Sequence, residues 1–68
     1  MKQTDVLGGF AKGLATIEAF TDATDRLSIT DVAQVTGLDR ATARRCLLTL
    51  VHGGYASFDG KFFTLTPK

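Results

Sequence analysis

The chain is short of the residues that carry most protein chemistry. It has one cysteine, Cys46, so an intrachain disulfide and a thiolate metal cluster are both excluded. Its one histidine, His52, falls where a helix should end, and capping is a sufficient use for it. A Cys-His nucleophile pair six residues apart on one helix would be poorly aligned. No carboxylates are paired for acid–base work. The glycine pairs Gly8-Gly9 and Gly53-Gly54 lack the spacing and the lysine of a phosphate-binding loop. These gaps leave an enzyme without a catalytic set, and no cofactor or metal is expected. No run is long and apolar enough to cross a bilayer, and Met1-Lys2-Gln3-Thr4-Asp5 lacks the layout of a signal peptide. A cytoplasmic location is expected. Internal repeats and low-complexity segments are absent too.

What is present is a small folded domain. Sixty-eight residues allow one domain, and a hydrophobic share of 44% argues against disorder. A core of this size is marginal, which favours dimerisation or attachment to more chain. The net charge is only +1, but it is unevenly spread. Residues 1–39 carry three basic and six acidic side chains, a net −3; residues 40–68 carry five basic and one acidic, a net +4. A one-sided field of that kind suits a surface that faces nucleic acid.

Taken in order, residues 1–8 read as loose or extended, with Gly8-Gly9 as a breaker. Phe10, Leu14, Ile17 and Ala19 or Phe20 recur in steps of four and three, which predicts a helix over about 9–21 with that stripe as its core face. A partner-binding stripe is the alternative use. Thr21-Asp22-Ala23-Thr24-Asp25 is a polar connection. Leu27-Ser28-Ile29 is β-leaning but too short to stand alone, so it should pair with a later strand. Thr30 is the expected N-cap of a short helix over 31–36, and Gly37 its left-handed stop. Leu38 plugs the turn and Asp39 caps a third helix over 40–52. There Ala43, Cys46, Leu47 and Leu50 share the apolar side, with Val51 at its border. Leu48 falls outside that side. Gly53-Gly54 stops the helix. Tyr55–Phe58 and Phe62–Leu65 are β-favouring and flank Asp59-Gly60, a two-residue type I′ hairpin signal. Pro67 cannot prolong the ladder. The expected class is mainly α with a small β-hairpin: three helices plus a wing.

A short helix, a glycine turn and a second helix make a helix-turn-helix, whose second helix enters the major groove by its N-terminal end. That end should be polar or small outside, and Arg40, Ala41, Thr42, Arg44 and Arg45 meet the requirement. Arginine's planar fork can bond two acceptors on guanine or grip phosphate, and Thr42 and Ala41 can touch a thymine methyl. Thr30 and Asp39 flank this set, while Ser57 and Lys61 of the 55–65 hairpin would meet phosphate or the minor groove. The competing account is that the arginines merely solvate an exposed face. Two features weigh against it. They have no acidic partner four residues away, and they sit at a helix start, where cations oppose the dipole. A winged helix used only for protein interaction is the alternative function, and it predicts an apolar outer side on this helix.

Three stretches carry a family resemblance. Gly13-Leu14-Ala15-Thr16-Ile17-Glu18-Ala19-Phe20 resembles the opening of IclR-type transcriptional regulators, with Lys12 where an arginine is usual. Ile29-Thr30-Asp31-Val32-Ala33 through Thr36-Gly37-Leu38-Asp39-Arg40-Ala41-Thr42-Ala43-Arg44-Arg45 resembles their helix-turn-helix. Leu48-Thr49-Leu50-Val51, Gly54-Tyr55 and Asp59-Gly60-Lys61-Phe62-Phe63-Thr64-Leu65-Thr66-Pro67 resemble their helix end and wing. The likeness covers about residues 10–67. It implies a winged helix-turn-helix that binds a palindromic double-stranded DNA operator within a dimeric or tetrameric regulator. It also implies a C-terminal domain, absent from residues 1–68, that senses a small metabolite. The wording of the third helix leans toward the branch that controls degradation of aromatic compounds.

Overall fold

The computed structural model describes residues 8–21 and 24–67. The elements are α1 (Gly8–Glu18), β1 (Arg26–Leu27), α2 (Ile29–Thr36), α3 (Arg40–His52), β2 (Ala56–Phe58) and β3 (Phe63–Leu65). The expectation for residues 1–7, and the middle of the 21–25 connection, lie outside the described residues. Thr21 and Thr24 close that connection by exchanging backbone hydrogen bonds of 3.0 and 3.1 Å. The three strands form one antiparallel sheet in the order β1-β3-β2, so the β-leaning Leu27 does find its later strand.

α1 begins at the glycine pair expected to break it and ends at Glu18, short of the expected 21; of the expected stripe, Ala19 and Phe20 meet the core and the rest do not. Phe10, Leu14 and Ile17 are 66%, 45% and 37% exposed, whereas Thr16 and Ala19 are buried. Both stripes recur in steps of three and four, so periodicity alone cannot choose between them. Small side chains let α1 approach α2 and α3 closely, and that side wins. Thr16 satisfies its hydroxyl within the helix by donating to the Lys12 carbonyl at 2.9 Å, which frees its methyl for the interior.

α2 starts earlier than expected, and its cap is Ser28 rather than Thr30. Ser28 Oγ accepts the Asp31 N–H at 3.1 Å, and Asp31 Oδ2 accepts the Ser28 N–H at 3.0 Å. This reciprocal capping box satisfies two donors at once, which a Thr30 cap could not match. Thr30 is an exposed residue of the first turn. Gly37 ends α2 at φ 78°, and its N–H donates to the Ala33 carbonyl. Asp39 then caps α3, whose bounds fall where the sequence puts them.

The core gathers Ala19 just past α1, Leu27 of β1, Val32 of α2, Ala43 and Leu47 of α3, and Phe63 of β3, with Phe20, Ile29, Ala33 and Val51 packed around them. Cys46 and Leu50 are only half-buried. On the other side of β3, Phe58 stacks on Phe63 with ring centroids 4.4 Å apart.

The hairpin departs from the type I′ expectation. Phe58 pairs with Phe63, so residues 59–62 all lie in the connection. Among the described residues positive φ occurs only at glycines, here Gly60 at 110°, so Asp59 lacks the conformation a type I′ turn demands. Asp59 closes the loop with its side chain instead. Its Oδ1 accepts the N–H of Lys61 at 3.0 Å and of Phe62 at 2.8 Å, and its own N–H donates to the Phe62 carbonyl at 3.1 Å.

Candidate nucleic-acid interface

The first turn of α3 is fixed by one carboxylate. Asp39 Oδ2 accepts the Thr42 N–H at 3.2 Å, and Asp39 Oδ1 accepts the Thr42 hydroxyl at 2.6 Å. The Thr42 hydroxyl, followed by its N–H, holds the Asp39 carboxyl below its ordinary pKa. Both oxygens are therefore engaged locally, and the carboxylate's negative charge would be repelled by a phosphate. Asp39 acts here as the positioner of α3. Thr42 keeps its methyl and its lone pairs, while its hydroxyl proton faces back into the cap.

Past the cap, Arg40, Ala41, Arg44 and Arg45 are all exposed, and Leu48 lies one turn further on at 37% exposure. Helical spacing puts Ala41, Arg45 and Leu48 on the side facing away from the buried pair Ala43 and Leu47, with Arg44 on the flank. This outer face is basic with one leucine, not apolar. Thr42 and Arg45 border α1: with Cys46, Thr49 and Leu50 they form one wall of an open groove of about 490 Å³, opposite Phe10, Leu14 and Ile17. So Cys46 lines a groove rather than the core proper.

Across the domain, the 59–62 loop lies beside the start of α2. Lys61 contributes to holding the Asp31 carboxyl below its ordinary pKa, after the Ser28 backbone N–H and side chain, which have the larger effect. Thr30 directly precedes Asp31 in this first turn of α2. Ser57 pairs with Thr64 on the exposed face of the sheet. The structure therefore places the sequence-predicted residues in two regions: Asp39, Arg40, Ala41, Thr42, Arg44 and Arg45 at the start of α3, and Ser57 and Lys61 on the wing with Thr30 at the start of α2.

One residue at the wing escaped the sequence reading. Arg26 of β1 stands opposite Thr64 of β3, and its Cζ lies 4.7 Å from the centroid of the Phe62 ring. Lys61 Nζ lies 5.2 Å from the same centroid. Strand alternation is the signal that could have found it: a buried Leu27 turns its neighbour Arg26 to the open face. Among the described residues, no three His, Cys, Asp or Glu side chains gather as metal ligands, and no helix is long and apolar enough to cross a membrane.

A tri-helical unit whose second and third helices meet at a left-handed glycine, with a basic third helix and a three-stranded wing, is a winged helix-turn-helix DNA-binding domain of the kind found in transcriptional regulators. More narrowly, the chain belongs to the IclR helix-turn-helix domain family, whose model matches residues 10–60. It is 46% identical over 68 residues, all of this chain and 24% of the other, to the Pca operon regulatory protein of Acinetobacter baylyi. It is also 46% identical, over all of this chain and 25% of the other, to the p-hydroxybenzoate hydroxylase transcriptional activator of the same organism. The crystal structure of an IclR family transcriptional regulator from Brucella abortus superposes with a TM-score of 0.91 at 28% identity, covering 96% of this chain and 26% of that one. The chain spans about a quarter of the length of the curated relatives it matches.

Proposed function

We propose that the domain reads a DNA operator with the start of α3 in the major groove and the wing on the flanking backbone. The observation that carries this reading is the set of three exposed arginines, Arg40, Arg44 and Arg45, on the first turns of α3, with no acidic residue among them. Phosphate contacts from Lys61, Ser57 and the Thr30 turn set the register, while Arg44, Arg45, Ala41 and the Thr42 methyl face base edges. Residues 1–68 act as one DNA-binding unit of a cytoplasmic regulator, and no chemical step is assigned to them. Family membership supports a palindromic operator, a homodimer or higher oligomer that matches its symmetry, and a small-molecule effector bound by a separate C-terminal domain. The names of the two Acinetobacter relatives favour control of genes for aromatic-compound metabolism. A pure protein-interaction role is disfavoured by the charge on the outer face of α3.

The test begins with selection of bound duplexes from a random-sequence library, followed by titration at two salt concentrations. The double substitution Arg44→Ala, Arg45→Ala should abolish preference for the selected duplex. Unchanged affinity in that variant would remove α3 from the interface.

A further inference from the structure

We infer that Arg26 is a DNA-phosphate contact, which makes the wing a two-cation grip built from β1 as well as from the β2–β3 hairpin. The inference rests on the reading of the domain as a DNA binder and adds a residue to it.

Three observations lead there. First, β1 is an edge strand whose Leu27 is buried, so alternation sends Arg26 to the exposed face, the face that also carries Ser57 of β2. Second, Arg26 and Lys61 lie far apart in sequence yet both lie over the ring of Phe62, at 4.7 and 5.2 Å from its centroid. A ring can hold two cations near each other because its π face attracts each of them, which offsets part of their mutual repulsion. Third, among the described residues no ion pair ties Arg26 or Lys61 to a carboxylate, and the two carboxylates whose charge reaches them each turn one oxygen to the backbone. Asp59 accepts two backbone N–H groups of the loop, and Asp31 accepts one at the α2 cap. Their charge reaches Arg26 and Lys61 only through space, which leaves the donors of both cations open to another acceptor.

Like charges gathered without a bonded anion are unfavourable in the free protein and become favourable against a polyanion. The fixed loop presents them at little conformational cost, since Asp59 already orders residues 59–62. The guanidinium lies over a ring beside a strand rather than at the loop tip, a placement suited to the backbone beside the groove rather than to base edges. Phosphate is therefore the acceptor assigned to it.

The measurement is the salt dependence of binding, taken on a duplex selected from a random library and on an unselected one. Each phosphate contact contributes about 0.9 to the slope of log affinity against log salt. Arg26→Ala should lower the slope by about that amount on both duplexes, so that the drop in affinity between 50 and 200 mM salt becomes about 3.5-fold smaller. Arg26→Lys should keep the slope, and Arg26→Ala with Lys61→Ala should lower it about twice as far. Phe62→Leu retains both cations and should keep the slope while weakening binding. If Arg26 served only to staple the loop, Arg26→Ala would behave like Phe62→Leu, with the slope intact, and the inference would fall. A loss confined to the selected duplex would overturn it as well. The Arg44→Ala, Arg45→Ala variant separates the two levels. If that variant loses binding while Arg26→Ala keeps the full slope, only the role of Arg26 is refuted. If the unaltered protein binds neither duplex, the DNA-binding reading fails with it.

Discussion

Substituting alanine for glycine at two positions should move stability in opposite directions. Gly37 sits at φ 78°, and a Cβ built there meets nothing within 4 Å. The penalty for Gly37→Ala is therefore conformational and not steric. Placing an L-residue in the left-handed region costs about 1–2 kcal/mol. The narrower unfolded ensemble of alanine returns about 0.4–1 kcal/mol. The net is a destabilisation of about 1 kcal/mol, which in a domain this small lowers Tm by about 4–8 °C. Gly13 also has open space around its Cβ position, but it lies within α1 at ordinary helical φ. There the same substitution should stabilise by about 0.5–1 kcal/mol, because helical alanine is favoured over glycine. Gly37→Asn should fall between the parent and Gly37→Ala, since asparagine tolerates the left-handed region better. Thermal melts followed by far-UV circular dichroism read all three. A Gly37→Ala variant that melts at or above the parent temperature would refute the left-handed turn between α2 and α3, and with it the fixed angle of the reading helix.

Three further expectations follow. Leu47→Ala removes a fully buried side chain at the meeting point of α3 and the core, at a cost of about 2–5 kcal/mol. That rivals the whole stability of a domain this size, about 3–5 kcal/mol, so urea titration should find the variant largely unfolded at room temperature. Ser28→Ala should cost about 1 kcal/mol by opening the capping box, whereas Thr30→Ala should stay within about 0.5 kcal/mol; equal losses would return the cap to Thr30. Asp31, Asp39 and Asp59 all titrate below the ordinary carboxylate value because each accepts hydrogen bonds in the fold: from Ser28, from Thr42, and from the N–H groups of Phe62 and Lys61. A depressed folded pKa means stability that is complete above the unfolded value of about 4 and lost as pH falls through the folded value. Tm should thus be level from neutral pH down to about 5 and then drop, with a smaller drop in Asp59→Asn; an acid limb unaffected by that substitution would remove Asp59 from the account.

How far the sequence could be read varied with the kind of signal. α3 was legible to the residue because Asp39 and the Gly53-Gly54 pair mark both ends chemically, and Gly37 announced the turn before it. The face of α1 was legible only at its C-terminal end, where Ala19 and Phe20 meet the core. Two stripes share its period, and the choice depends on what α2 and α3 can accommodate, which no local pattern encodes. The cap of α2 was misplaced by two residues because Ser28 and Thr30 are both competent acceptors; the reciprocal bond from Asp31 decides for Ser28. The wing was recognisable from Asp59-Gly60, but its geometry was not, since Asp59 uses its side chain where the expected turn would use its backbone. Arg26 was invisible for a different reason. Its partner Phe62 is distant in sequence, and only the β1–β3 register brings the two together.

That register has a consequence for how the domain is made. The middle strand of the sheet, β3, is the last of the three to leave the ribosome. β1 emerges first and must wait, with the entire helix-turn-helix and β2 between it and its partner. Until Phe63 arrives, Leu27 has no strand to pair with and Phe58 has no ring to stack on. The local contacts of α2, the turn and α3 can form early, but long-range pairing of this sort comes later and more slowly. The reading helix would thus be assembled before the wing that flanks it, and synthesis halted before Phe63 would leave a helical hairpin beside two unpaired strand edges.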